Sequence, residues 1–180
     1  MNRLREKYLK EIAPKLVKEL ALSNVMQVPS ISKISVNAGI GSFRDNKEAV
    51  ASFESEFTSF AGQKPRARKA RVSVAGFKVR KGETVGYSVT LRGDKMWAFL
   101  DKLVSVSLPR VRDFRGLSEE AFDADGNYSL GIREHVIFPE VNPNTTKGIR
   151  SLQVTLCLGT RIKEHNKKLL ELLGIPFRKD

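Results

Sequence analysis

The chain holds 20 Asp and Glu residues, yet none falls between Gln63 and Gly82. That acid-free stretch, QKPRARKARVSVAGFKVRKG, carries eight Lys or Arg residues, in a chain whose net charge is +12. Positive charge without local opposition repels itself, so the gap in acids points to a dense anionic partner, or else to a solvated lysine-rich loop that only aids solubility. Cysteine is almost absent. Cys157 alone excludes an intrachain disulfide, and its place in an alternating apolar run predicts a buried, inert thiol. His135 and His165 are the only histidines, and neither has a His or Cys at ligand spacing, which argues against a zinc or iron site. No run of about 18 apolar residues is present to span a bilayer. The charged start MNRLREKYLK lacks the apolar core of a secretion signal. No membrane partner is expected, and the cytoplasm is the expected compartment.

Catalytic motifs are missing as well. Gly39-x-Gly41-x-x-Arg44 lacks the third glycine of a dinucleotide fingerprint, no Walker lysine follows, and no nucleophile elbow is present. Asp123-Ala124-Asp125-Gly126-Asn127 lacks the closing Glu of a calcium loop and reads as a tight turn between two short strands. Neither catalytic residues nor a cofactor or metal are expected. An RNA-processing enzyme would need an acid cluster or a cofactor loop, and neither is visible. A peripheral membrane protein would need an amphipathic helix with apolar residues opposite the lysines, whereas Val72, Val74 and Phe77 fall at strand or loop positions.

What is present is an alternation of helical and strand periods. Leu4, Tyr8, Ile12, Leu16 and Leu20 recur at helical spacing, with Pro14 as an expected kink. Ile31 to Val36 is β-branched and strand-like, and a glycine turn is expected at Asn37 to Gly41. Asp45 and Glu48 resemble a capping box before the stripe Val50, Phe53, Phe57 and Phe60, which ends at Gly62. Val85, Tyr87, Val89 and Leu91 alternate with Gly86, Ser88 and Thr90 as a half-buried strand. Gly93-Asp94 opens a helix that packs Met96, Trp97, Phe99, Leu100 and Leu103 inward. Residues 105–150 read as irregular, and so long a loop points to function. Ser151 to Leu158 is again a strand, and a last helix runs from about Arg161 to Leu173. The expected fold is α+β: a two-layer sandwich of mostly antiparallel sheet with helices on one face and long basic loops, in a single domain spanning 1–180.

With a pI near 10.0, nucleic acid is the expected anion, because its phosphates are densely spaced and binding releases condensed counterions. Arginine adds a planar fork suited to phosphate, and an exposed Phe77 could stack on a base. Gly39 and Gly41 would let backbone N–H groups approach a phosphate beside Asn37, or else form a plain left-handed turn. Pro109 to Gly116 interleaves Arg110, Arg112 and Arg115 with Phe114. That pattern suits stacking with phosphate clamping, or a protein contact in which Asp113 pairs with an arginine.

Four motifs in register then carry a resemblance: KISVNAGIG (33–41), GQKP with AGFKVRKG (62–65 and 75–82), LPRVRDFRGL (108–117) and GNYSLGIREHVIFPE (126–140). Together they closely resemble the bacterial-type fifth large-subunit ribosomal protein, the L-five family, over nearly the whole chain. The resemblance implies a structural RNA-binding protein that holds 5S rRNA in the central protuberance and touches 23S rRNA and neighbouring large-subunit proteins. It implies 5S rRNA contact at Asn37, Gly39, Gly41, Gln63, Lys64 and Thr90, with Arg66, Arg68, Lys69, Arg71 and Arg92 completing the rRNA-binding set. It implies that the tip bearing Phe77, Lys78, Arg80 and Lys81 reaches the P-site tRNA. Arg110, Arg112, Asp113, Phe114 and Arg115 resemble the loop that meets small-subunit ribosomal protein thirteen in an intersubunit bridge. Two departures stand out. Arg66 and Arg68 replace small or β-branched residues, and are expected either to strengthen phosphate contacts or to alter strand register. Val141 to Thr146 replaces an acidic stretch.

Overall fold

A computed structural model describes residues 2–144, 146 and 148–178; Thr145 of the departing Val141 to Thr146 stretch lies outside the described residues. The first helical segment is α1 (Arg3–Lys7), a π turn at Tyr8–Ile12, and α2 (Ala13–Glu19). Proline at position 14 lacks an N–H and crowds the turn behind it. The sequence anticipated a kink there, and a wider π turn directly precedes it, with Ala13 N–H donating to the Tyr8 carbonyl. Leu4, Ile12 and Leu16 are buried, as their spacing requires.

β1 (Ile31–Gly39), β2 (Arg66–Lys69), β3 (Thr84–Leu91), β4 (Tyr128–Ile132) and β5 (Leu152–Leu158) form one antiparallel sheet in the order β2-β3-β1-β5-β4. β1 is central, and its register fixes the sheet's two faces. Ile34 faces Leu91 on one side and Leu156 on the other; Val36 faces Val89 and Val154. All six are buried. Strand side chains alternate between faces, so this apolar row commits Ser35 and Asn37 to the opposite side. The Phe stripe of α3 (Lys47–Ala61), the inward residues of α4 (Gly93–Lys102) and Leu169 and Leu170 of α5 (Lys163–Leu172) join the strands' apolar side chains in one cluster. Phe57, Phe60 and Phe138 stack in succession, with centroids 4.9 and 4.6 Å apart. The helices thus share one face of the sheet, and the expected α+β two-layer arrangement is the one observed.

Several local expectations shift. β1 runs on to Gly39, so Asn37 is a strand residue and the turn follows at 41–45. Neither Gly39 nor Gly41 has a positive φ, which removes the left-handed turn expected there. The cap of α3 is Asn46, whose side chain accepts from Ala49 N–H at 3.1 Å, one residue after the expected Asp45. The stretch read as irregular contains β4, together with a helical continuation from Leu103 to Arg110. β4 is the second of the two short strands expected around the Asp125-Gly126 turn, and Gly131 and Ser129 interrupt its apolar pattern. Cys157 is half-buried and lies on the face opposite Leu156 and Leu158, not in the core.

The segment after β4 is clasped to α3. Buried His135 donates from Nε2 to Glu56 Oε2 at 2.9 Å and accepts at Nδ1 from Arg150 N–H at 3.1 Å, which fixes the neutral Nε2–H tautomer. Ser52 and Thr146 hydroxyls also donate to Glu56, and the Arg150 guanidinium lies 3.6 Å from the centre of the Phe43 ring. At the other end of β4, Asp123 N–H bonds the Asn127 carbonyl and Gly126 has φ +80°, so the Asp-Gly turn forms as expected.

Tyr128 leads from that turn into the core and donates to the Ser118 carbonyl at 2.8 Å. Burial and then the Glu119 carboxylate push its phenol up to about 12. An unfolded tyrosine ionises near 10, so the native chain keeps a proton that the unfolded chain loses. The stability due to this group is full below about pH 10 and falls as pH rises towards about 12. Urea midpoints taken at about pH 9 and pH 11.5 should therefore drop less for Tyr128→Phe than for the parent; equal drops would refute the assignment.

Candidate nucleic-acid interface

The register of β1 also builds the side of the sheet away from the helices. One row crosses all five strands as Arg66, Ser88, Asn37, Gln153 and Gly131. The next runs Thr90, Ser35, Thr155 and Ser129, whose Ser129 and Thr155 hydroxyls are 3.0 Å apart. Lys33 faces Cys157 beyond them, and Arg68, Gly86 and Gly39 form a row on the other side. Asn37, Gly39, Thr90, Gln153 and Gly131 are exposed, so no helix or loop among the described residues roofs these positions. A sheet face of hydroxyls, amides and glycines offers donors and acceptors at strand spacing.

Three expected residues meet here for a structural reason. Gly62, with φ +67°, ends α3 in a left-handed cap and turns the chain so that Gln63 Nε2 donates to the Thr90 carbonyl at 3.4 Å. Thr90 and Asn37 then share the open face through the β1–β3 register. β2 is exposed along its whole length and presents Arg66, Arg68 and Lys69 at the sheet edge. Arg68 Nε donates to Ser88 Oγ at 2.5 Å, which lays the guanidinium across the open face and covers Ser88. The β2–β3 pairing has an irregularity between Arg68 and Lys69. Lys64 is 3.9 Å from Glu54, so the fold supplies one distant acid that the sequence of the basic stretch lacks. Arg92 is exposed just past β3, at the start of α4. Gly41 lies beyond β1 and is exposed.

Beyond β2 the chain rises as a narrow arm containing Arg71. Ala70 and Glu83 backbones bond at its base, Val74 and Val79 exchange two bonds of 2.9 and 3.2 Å, and Ala75–Phe77 makes a single turn at the tip. Lys78 takes the left-handed conformation with φ +51°. Phe77 is 79% exposed at the tip, and Lys78, Arg80 and Lys81, all exposed, follow it along the returning limb. Arg44 braces the arm, donating from Nη2 to the Lys78 carbonyl at 2.9 Å, with Nε 3.2 Å from Glu83.

The second arginine cluster is elsewhere. Arg110, Arg112 and Arg115 are exposed, whereas Phe114 packs against the core and is not free to stack. Asp113 has φ +53°. The loop is tied to the C-terminal segment by Leu117 N–H to the Pro176 carbonyl and Arg178 N–H to the Leu117 carbonyl, both 2.9 Å. It flanks β4, at the edge of the sheet farthest from β2, so the structure separates it from the other expected residues. Sequence reasoning missed Lys33, Ser35, Gln153, Thr155 and Ser129. Their signal was the strand period itself, since they are the alternate positions to the apolar ones.

Residues 24–80 match the family model described as Ribosomal protein L5, and residues 84–177 match the model of the C-terminus of the same ribosomal family. The chain belongs to the ribosomal protein L5 family. It is similar to large ribosomal subunit protein uL5 of Thermoanaerobacter sp. (strain X514), 46% identical over 179 residues, 99% of this chain and 100% of the relative. It is 48% identical to uL5 of Desulfatibacillum aliphaticivorans over the same span, and 48% identical to that of Anaeromyxobacter sp. (strain Fw109-5) over 98% of each chain. L5 proteins are structural constituents of the large ribosomal subunit, so the chain is a ribosomal component of the cytoplasm and not an enzyme. The two matched segments of this L5 protein are not separate in space: β1 and β2 from the first interleave with β3 and β5 from the second in one sheet.

Side chains that serve a partner can be removed without loss of fold. Asn37→Ala, Thr90→Ala and Arg66→Ala should each shift stability by no more than about 0.5 kcal/mol. Gly86→Ala should destabilise by about 1–3 kcal/mol through overpacking, because its Cβ would stand 2.7 Å from the Ala38 carbonyl oxygen. Urea denaturation measures both, and a large loss at the first three positions would make them structural.

Proposed function

We propose that the open face of the sheet is the 5S rRNA-binding surface and that the chain attaches 5S rRNA to the central protuberance. The observation that carries this reading is the unroofed polar row from Arg66 to Gly131, bordered by the fully exposed β2. Arg66, Arg68, Lys69, Arg71, Lys64 and Arg92 neutralise phosphates. Asn37, Gln63 and Thr90 hydrogen-bond sugar and base edges, and Gly39 and Gly41 allow close backbone approach. The broad face of a five-stranded sheet cannot enter the deep groove of an RNA duplex, so the target is a non-helical region whose bases are splayed. Basic residues at the margin of this surface reach 23S rRNA.

The arm and the second loop extend the same role. The exposed tip with Phe77, Lys78, Arg80 and Lys81 contacts the P-site tRNA, where an aromatic ring amid cations can stack and neutralise together. The loop with Arg110, Arg112, Asp113, Phe114 and Arg115 meets small-subunit ribosomal protein thirteen, Phe114 acting from within by holding the loop in shape. Neighbouring large-subunit proteins complete the surroundings. Sheet and helices form a single domain, and calorimetry should show one unfolding transition.

Filter binding of 5S rRNA tests the division of the surface. Asn37→Ala, Gln63→Ala and Lys64→Ala should weaken binding, while Arg80→Ala leaves it nearly unchanged. With about four phosphates neutralised, log K should fall with log salt at a slope of roughly −3. Equal losses in all four variants, or an affinity independent of salt, would overturn the proposal.

A further inference from the structure

The edge of the sheet opposite the basic arm carries a feature that 5S rRNA binding does not use. β4 is the last strand, bonded to β5 on one side only. Phe122 bridges Tyr128 at its start, and beyond that the outer backbone groups of Leu130 to Ile132 have no strand partner among the described residues. A cleft of about 480 Å³ runs beside this edge, between Leu130–Arg133 and the loop from Val111 to Leu117. Its volume lies within the roughly 300–1,000 Å³ of ligand sites.

The cleft has an apolar floor of Leu108, Val111, Leu130 and Ile137, and four arginines on its walls: Arg112, Arg115, Arg133 and Arg178. Asp113 and Glu134 are the acids among its lining residues, so four positive charges face two negative ones. The far wall is held in place by the bonds joining Leu117 to the C-terminal segment. Gly116 packs there with φ +97°, and a Cβ on it would lie 2.7 Å from Arg178 N. The cleft is therefore built by two tethered segments.

We infer that this cleft receives an extended acidic segment of a neighbouring protein, which adds to β4 as a sixth strand. An open edge offers unpaired N–H and C=O groups in the spacing that an extended peptide repeats. Side chains of an added strand alternate, one set falling on the apolar floor and the other towards the arginines. Carboxylates match the planar arginine forks. A nucleic acid strand would satisfy the arginines but leave the apolar floor and the strand edge unused, which favours the peptide. The inference does not rest on the rRNA-binding reading, because the cleft lies at the other edge of the sheet; it shares Arg112, Asp113, Phe114 and Arg115 with the proposed bridge loop, and is tested at Arg133 and Arg178, which lie outside that loop.

The test uses the full chain without RNA and a fluorescein-labelled peptide of alternating acidic and valine residues. Binding should be measurable by anisotropy and should slow hydrogen exchange at the amides of Leu130 to Ile132 on the outer edge. Arg133→Glu with Arg178→Glu should weaken it by about tenfold or more. Circular dichroism melting shows whether that variant is folded; should it not be, N-methylation of alternate peptide residues gives the same decision, one register abolishing binding and the other retaining it. Absence of binding, equal tolerance of both methylated registers, or displacement of the peptide by a single-stranded RNA oligonucleotide at lower concentration than by unlabelled peptide would overturn the inference.

Discussion

Everything in this chain depends on the pairing register of β1. It lies between β3 and β5 in the sheet, and its alternation decides which side is apolar and which is polar. A slip of one residue would turn Ile34 and Val36 outward and bury Asn37 and Ser35. The register is held by the apolar cross-strand pairs Ile34–Leu91, Ile34–Leu156, Val36–Val89 and Val36–Val154, each packed under the helices. The core and the candidate rRNA surface are therefore two consequences of one set of contacts. Asn37 needs no special turn to present itself. Its neighbours in the strand are buried, and that is enough.

The basic residues divide according to how they are held. Arg68 is fixed on the sheet by Ser88, and Gln63 is fixed by the α3 cap and its bond to the Thr90 carbonyl. The arm is attached at its base by the Ala70–Glu83 pair and braced by Arg44, which reaches Glu83 and the Lys78 carbonyl, while Phe77 projects into solvent. Short-range order on the sheet suits recognition of a fixed RNA shape, whereas a projecting tip suits reach. At the far edge, the Glu56–His135–Arg150 clasp and the Leu117 tether hold the segments beyond β4 without strand pairing.

Much of this was legible in the sequence because burial imposes periods. The Phe stripe of α3, the alternation in β3 and β5, and the Gly62 stop each follow from local chemistry, and the α+β class follows from them. The acid-free stretch was legible as charge, though not as an exposed edge strand followed by an arm. What stayed hidden was set by tertiary pairing. β4 is short and broken by Gly131, so the Asp-Gly turn announces a strand there but only pairing with β5 fixes its extent. The Asn37–Gly41 motif reads as a turn because glycines usually mark turns, but here Gly39 sits where β1 faces Gly86. Cys157 was assigned to the core from its apolar neighbours, when its parity along β5 places it on the polar face with Gln153 and Thr155. Parity was the better guide.

That parity gives the account its most direct test. Cys157 is the only cysteine, half-exposed on the open face opposite Lys33. Its alkylation by uncharged iodoacetamide should slow by about tenfold when 5S rRNA saturates the protein, since a bound strand shields the groups it contacts. A single cysteine on the exposed side of α3, Ser55→Cys in a Cys157→Ser background, should react at nearly the same rate with and without RNA. Protection at position 55 with none at Cys157 would contradict the assignment of the open face.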